Sequence, residues 1–196
     1  MGIMNVVWPV SALYLSAAAF WAYCRFARNT ATGRLRHQMS NYRTGSLDPS
    51  LSQIAIGTSH CGAGCMLADL VSEFAIAASG ITLLGSALWA EYAIDLAAAW
   101  ALGIVFQYFA IKPMRNLSVS QAIVASIKAD TLSIAAFQVG MYAWMAIAFF
   151  VLFQHPHLTA FDPRYWLMMQ IAMICGFATA FPVNGWLIRM EIKEPM

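Results

Sequence analysis

The sequence predicts an all-α integral membrane protein, a helical bundle of about five transmembrane helices. Of its 196 residues, 61% are hydrophobic and 10% are charged, whereas soluble domains carry about a quarter charged residues. Seven Trp, seven Tyr and twelve Phe suit the aromatic belts at the two membrane interfaces. No acidic or basic tail indicates nucleic acid, and no phosphate-binding glycine loop or Ser/His/Asp arrangement is present. The lipid bilayer is therefore the first expected partner.

Three regions follow one another along the chain. Residues 1–24 contain an uninterrupted apolar run, which predicts a first transmembrane helix and not a cleaved signal peptide. Residues 25–57 are rich in arginine and small polar residues, which predicts a cytoplasmic polar connector. Residues 58–196 hold the remaining apolar runs and predict a four-helix membrane domain.

Within that domain the second and third spans form a hairpin. We expect the second span over residues 66–88, with Thr58 or Ser59 as the N-cap. A short turn at residues 89–91 then leads into a third span over residues 92–111, which ends before Pro113.

The fourth and fifth spans complete the bundle. Ser118 or Ser120 is expected to cap a long fourth helix that continues to Phe153. The fifth span is expected over residues 165–188, with a kink near its end at Pro182.

The positive charges predict the orientation of this map. Ten of the eleven Lys and Arg residues fall on one side, and only Arg164 falls on the other. By the positive-inside rule, the N-terminus faces outward and the C-terminus faces the cytoplasm. We expect a multi-pass protein of the bacterial inner membrane, with His60 and the nearby cysteines at the cytoplasmic surface.

A cluster of reactive side chains begins the second span. Cys61, Cys65, Asp69 and Glu73 follow one another at four-residue intervals, so neighbouring members share a helix face, and His60 precedes them. Thiolate and imidazole favour Cu(I) or Zn(II), and carboxylates inside a span usually mark an ion or proton pathway. The alternatives are two small cysteines that only pack, and acids that form structural pairs.

The predicted metal site draws on this cluster and on the fourth span. Its candidate ligands are His60, Cys61, Cys65, Asp69, Glu73 and Asp130. A pathway of soft and polar side chains is predicted from Met141, Met145, Met169, Met173 and Asn184. Methionine is also common filler in apolar helices, so core packing is the alternative for these residues.

Several stretches resemble an uncharacterised bacterial membrane family that is known only as a domain of unknown function. They are Ser59-His60-Cys61-Gly62-Ala63-Gly64-Cys65, Lys128-Ala129-Asp130-Thr131-Leu132-Ser133 and Pro182-Val183-Asn184-Gly185-Trp186-Leu187-Ile188. The family usually has tryptophan where Gly185 stands and glycine where Ala68 stands, which affects the packing beside the polar residues. The resemblance covers residues 58–196 and implies four spans and a link to copper handling.

These observations lead to one functional hypothesis and two alternatives. We expect a membrane protein that binds or transports a soft metal ion, Cu(I), with copper as its cofactor or cargo and no catalytic residues. The first alternative is a structural or assembly subunit, with other membrane subunits or further copies of the chain as partners. The second alternative is a membrane thiol oxidoreductase.

Overall fold

The all-α architecture is confirmed. The structure is a computed structural model that describes residues 4–15, 24, 49–115, 118–155 and 157–193. These ranges contain no β-strand and five α-helices: α1 (Met4–Leu15), α2 (Leu51–Ser79), α3 (Ala87–Arg115), α4 (Val119–Ile147) and α5 (Pro163–Arg189). A π-helical turn, Ala148–Leu152, prolongs α4.

Four of these helices are long and apolar enough to cross a bilayer, which makes the chain a multi-pass membrane protein. Helices α2 to α5 alternate in direction, so the bundle has two ends. We call the end with residues 80–86 and 153–162 the loop end, and the opposite end the Lys193 end. Helix α1 covers only the start of the first predicted span, and residues 16–23 and 25–48 lie outside the described part of the chain.

The start of α2 corrects the sequence-based boundaries. The helix begins at Leu51, where Ser50 and Gln53 form a reciprocal capping box. Thr58 and Ser59 therefore lie inside the helix, and the Thr58 hydroxyl donates to the Ile54 carbonyl at 2.8 Å. Residues 51–57, assigned above to the polar connector, belong to α2 because their polar side chains face the interior of the bundle.

The turn between α2 and α3 also lies earlier than predicted. Gly80 ends α2 in the left-handed region, at φ 65°, and Gly85 follows at φ 78°. The two glycines make the turn before Trp89, so residues 89–91 are helical, and α3 then continues through Pro113 to Arg115. This shift places Glu91 on a helix that faces the interior, where the sequence analysis had a loop.

The ends of α4 and α5 agree better with prediction. Ser118 caps α4 through a capping box with Gln121, and the helical path reaches Leu152 as expected. Asp162 caps α5, and the neighbouring Arg164 guanidinium lowers the pKa of this exposed carboxyl. Pro182 lies within the continuous α5, and the predicted kink stays a prediction.

Close helix contacts hold the bundle together at glycines. A Cβ atom on Gly176 would lie 2.7 Å from the Phe137 carbonyl oxygen, and one on Gly140 would lie 2.6 Å from the Cys175 carbonyl oxygen. Helices α4 and α5 therefore touch backbone to backbone, as small residues allow in lipid. On the other side of α4, the rings of Tyr92 and Tyr142 stack on each other. The hydroxyl of each tyrosine donates a hydrogen bond to the backbone carbonyl of the other, at 2.7 Å.

Gly176→Ala is expected to lower the free energy of unfolding in detergent by about 1–3 kcal/mol, because the new methyl group overlaps the backbone of α4. Gly57→Ala is the matched control, since its Cβ would meet its nearest atom, Lys193 Cε, at 4.0 Å. At this position, alanine is expected to raise the free energy of unfolding by about 0.5–1 kcal/mol, because glycine destabilises a helix interior. Equal effects of the two substitutions would contradict the close α4–α5 contact.

Candidate functional site

Helix α2 is the central element of the bundle and carries the polar residues. Of the 18 consecutive residues that make up its most apolar stretch, 61% are buried. The corresponding fraction is 28% in α3, 39% in α4 with its π-helical turn, and 44% in α5. Every member of its reactive series is buried: His60, Cys61, Cys65, Asp69, Ser72 and Glu73. The helix face that these residues share is therefore turned into the bundle.

Four carboxyl groups meet in the half of the bundle nearer the loop end. Asp69 and Glu73 come from α2, and Glu91 and Asp95 come from α3; we call them the carboxylate cluster. The Ser72 hydroxyl donates to Asp95 Oδ1, and Glu73 lies beside Asp95. Asp69 interacts electrostatically with Asp95, which in turn interacts with Glu91.

The cluster has an excess of negative charge in a poorly solvated place. Asp69 is 0% exposed and Asp95 is 2% exposed. Within the described residues, no Lys or Arg influences any of the four carboxyl groups. Carboxylates this close in a medium of low polarity cannot all be ionised, so the cluster shares protons. Such an arrangement can accept, hold and release protons.

Glu91 and Asp95 were missed by the sequence analysis. Glu91 was assigned to the turn, and Asp95 was assigned to the start of the third span. Their four-residue spacing was the available signal, because it places both carboxyl groups on one helix face once Glu91 is helical.

A second polar site lies nearer the Lys193 end. The Lys193 ammonium donates to Asp130 Oδ1 at 2.8 Å, and both side chains are fully buried. His60, also fully buried, interacts electrostatically with both. We call Asp130, Lys193, His60 and Gln107 the polar chamber.

The register of α2 against α3 brings Gln107 to the chamber. A Cβ atom on Gly64 would lie 3.5 Å from Gly103 Cα, and about two turns further along both helices Ser72 bonds Asp95. Both pairs fit one antiparallel register, which places His60 level with Gln107. Gly103 also faces Asp130, because a Cβ there would lie 3.3 Å from Asp130 Oδ2.

The chamber contains several buried polar atoms without a hydrogen-bond partner in the described structure. They are both ring nitrogens of His60, both side-chain polar atoms of Gln107, and Asp130 Oδ2. His60 touches Phe106 edge-on, with ring centroids 5.9 Å apart. Buried polar groups normally have partners, and groups without one indicate a place for water or an ion.

Two cysteines lie between these sites. Cys61 and Cys65 are free thiols, 0% exposed, and lie beside each other one turn apart. Cys65 interacts electrostatically with Asp69 on one side and with Asp130 on the other. The thiols therefore bridge the space between the carboxylate cluster and the polar chamber.

The six predicted metal ligands do not converge on one point. His60 and Asp130 belong to the chamber, Asp69 and Glu73 belong to the carboxylate cluster, and the cysteines lie between them. In the described ranges, no three His, Cys, Asp or Glu side chains are arranged to hold a metal ion.

The motif was expected at the protein surface, and this part of the prediction is wrong, while its expected cytoplasmic side stays a prediction. Because α2 begins at Leu51, His60 lies about 14 Å along the helix from its start at 1.5 Å per residue. His60, Cys61 and Cys65 are therefore inside the bundle and not at its surface.

The predicted pathway residues lie in the core. Met141, Met145, Met169 and Met173 all belong to the main hydrophobic cluster. Asn184 accepts from the Ser133 hydroxyl at 3.0 Å, which joins α4 to α5, and donates to the Ala180 carbonyl of its own helix at 3.0 Å, so both of its polar atoms have partners.

The chain belongs to the family described as a domain of unknown function, DUF4396, whose model matches residues 51–193. The matched segment begins at the first residue of α2 and ends at Lys193, so it contains both the carboxylate cluster and the polar chamber. No curated protein and no solved structure shows significant similarity to the chain.

Ser72→Ala is expected to destabilise the protein by about 1–3 kcal/mol, because it removes the hydroxyl that bonds the buried Asp95 carboxyl. Ser79→Ala is the control, since Ser79 lies exposed at the end of the same helix, and a change within about 0.5 kcal/mol is expected there. Thermal unfolding of both variants in the same detergent measures the difference. Equal loss in both would show that the bond to Asp95 contributes nothing.

Proposed function

We propose that this protein moves protons through the interior of its helical bundle, along a line of buried titratable groups from α2, α3 and α4. The observation that carries the proposal is the continuity of this line. It runs from Glu91 and Glu73 to Asp95 and Asp69, passes Cys65 and reaches Asp130. Ionisable groups are expensive to keep inside a membrane, and they usually mark such a relay.

A cleft at the loop end supports an entrance to this line. It is lined by Leu88, Glu91, Met145, Ala148, Phe149, Phe153, Leu158, Tyr165 and Met168. Its narrow part has room for about one water molecule. Glu91 reaches this cleft from α3, and Tyr165 reaches it from α5. The Tyr165 hydroxyl lies beside Glu73 without a hydrogen bond of regular geometry.

The transfer consists of proton movements between carboxyl groups that interact with one another. A protonated Glu91 loses its proton to the Asp95 carboxylate, so one O–H bond breaks as another forms. The same step carries the proton from Asp95 to Asp69. At each step one carboxyl group becomes ionised and one becomes neutral, which leaves the total charge of the cluster unchanged.

Asp69→Asn is expected to abolish proton movement, because Asp69 is the deepest member of the cluster. An amide neither accepts nor releases a proton at the pH of the assay. The protein is reconstituted into vesicles with a trapped pH-sensitive dye, and a potassium gradient with valinomycin drives proton entry. Asp162→Asn, at the exposed cap of α5, is the matched control and should retain the wild-type rate. Wild-type vesicles no faster than protein-free vesicles would rule out the proposal.

A second candidate function is transport of Cu(I) as a cargo, which is favoured by the two adjacent thiols. Cys61 and Cys65 are buried together in a place that excludes water, and soft sulfur ligands select Cu(I). Two sulfur ligands are enough to hold this ion in transit, so the candidate does not require a third ligand. The core methionines Met141 and Met173 would offer further soft contacts.

If Cu(I) is the cargo, the purified protein should retain the ion after loading under reducing conditions and gel filtration, and Cys61→Ser should lose it. Cys175→Ser is the control, because Cys175 is a partly exposed free thiol on α5. Copper content measured by elemental analysis is the readout. Equal copper in the two variants, or none in the wild type, would exclude this candidate.

A further inference from the structure

We propose that the polar chamber is a binding site for a primary ammonium group, and that the Lys193 side chain occupies it as a tethered ligand that closes the Lys193 end of the bundle. The closure would act on the proton path proposed above, and in that respect it rests on that function. The binding of the ammonium group itself is independent of proton movement.

The chain is built to bring Lys193 inward. Helix α5 ends at Arg189, and Glu191 then takes up a left-handed conformation at φ 58°. The backbone N–H groups of Ile192 and Lys193 both donate to the Leu187 carbonyl, at 3.1 and 3.2 Å. This tight turn reverses the chain against α5 and directs the lysine stem past Gly57 of α2 into the bundle.

A lysine at the end of a membrane helix normally extends its charged group to the interface and water. Lys193 does the opposite, because its side chain is 0% exposed and its ammonium contacts Asp130 on α4. Burying both charges carries a large desolvation cost before their attraction is counted. The turn and the carboxylate together overcome the normal preference of the side chain for water.

The chamber offers more to an ammonium group than the one bond that is made. An ammonium group has three N–H donors, and one of them goes to Asp130 Oδ1. Asp130 Oδ2 and Gln107 Oε1 remain acceptors without a partner, and a neutral His60 ring offers one more. The charged and titratable groups that face Lys193 are Asp130 from α4 and His60 from α2, while α3 contributes the neutral Gln107.

When the Lys193 ammonium group occupies the polar chamber, the Lys193 end of the bundle is closed. The Lys193 side chain runs past Gly57 of α2 to Asp130 of α4, and Cys61 and Cys65 follow His60 along α2 in the direction away from this end. Release of the ammonium group removes the bond that holds the turn in place. Small molecules from this end should then reach the two thiols.

The test measures how fast N-ethylmaleimide modifies the thiols of the folded protein in detergent, counted by mass spectrometry. Cys24→Ser and Cys175→Ser are introduced first, so that only Cys61 and Cys65 can react. This parent protein should react slowly, and Lys193→Ala should react faster. Methylammonium chloride, a free primary ammonium, should restore slow modification of Lys193→Ala, whereas tetramethylammonium chloride at the same concentration should not, because it has no N–H donors.

Two further variants make the result specific. Lys128→Ala removes an exposed lysine two residues from Asp130 and should behave like the parent. Lys193→Ala combined with Asp130→Asn should react fast and gain no protection from methylammonium, because the site has lost its negative charge. Lys193→Met, which keeps most of the apolar stem, replaces Lys193→Ala if the alanine variant does not elute as a folded particle.

Unchanged thiol modification in the Lys193 variants, or equal protection by the two ammonium salts, would overturn the inference. Since modification is measured without a proton gradient, a failed proton assay and a failed ammonium site give distinguishable results.

Discussion

The polar face of α2 has to be kept away from lipid, and the arrangement of the other helices follows from this constraint. On this one helix, His60 and Asp69 are 0% exposed and Glu73 is 3% exposed. Backbone and side-chain polar groups exposed to hydrocarbon cost several kcal/mol each. Helices α3, α4 and α5 therefore surround that face, and each adds polar groups at matching depth: Asp95 from α3, Asp130 from α4 and Tyr165 from α5.

The two polar sites differ in how their charge is balanced. In the polar chamber, a lysine neutralises Asp130 directly, and both side chains are fully buried. In the carboxylate cluster, the balance has to come from bound protons, because the described neighbours of its acids are other acids, a serine hydroxyl and a tyrosine. One site is thus held by a covalently tethered cation, and the other depends on a mobile one. This difference is the basis for proposing that the cluster exchanges protons and that the chamber controls access.

Much of this architecture could be predicted from the sequence, and the errors have physical causes. Composition and the length of the apolar runs were enough for an all-α membrane bundle, and Ser118 was found because a serine before an apolar helix is a strong cap. The start of α2 was missed because its first turns are polar, and polarity was read as exposure to water. Asp69 and Glu73 were identified as intramembrane acids, but Glu91 was lost with the misplaced turn. Lys193 was beyond prediction, since a lysine after the last helix also fits the positive-inside pattern, and only the left-handed turn at Glu191 directs it inward.

The π-helical turn at the end of α4 has a consequence for the rim of the cleft. A π turn, in which the Phe153 N–H bonds to the Ala148 carbonyl at 2.9 Å, holds one residue more than an α-turn. Each added residue rotates the following side chains by about 100° around the helix axis. Phe149 in this turn and Phe153 just after it both line the cleft, and the Arg164 guanidinium lies 5.8 Å from the Phe153 ring centroid. The Phe153 ring and the Arg164 guanidinium thus lie together beside the cleft that Glu91 also lines, so a cation that approaches Glu91 through this cleft passes close to a fixed positive charge.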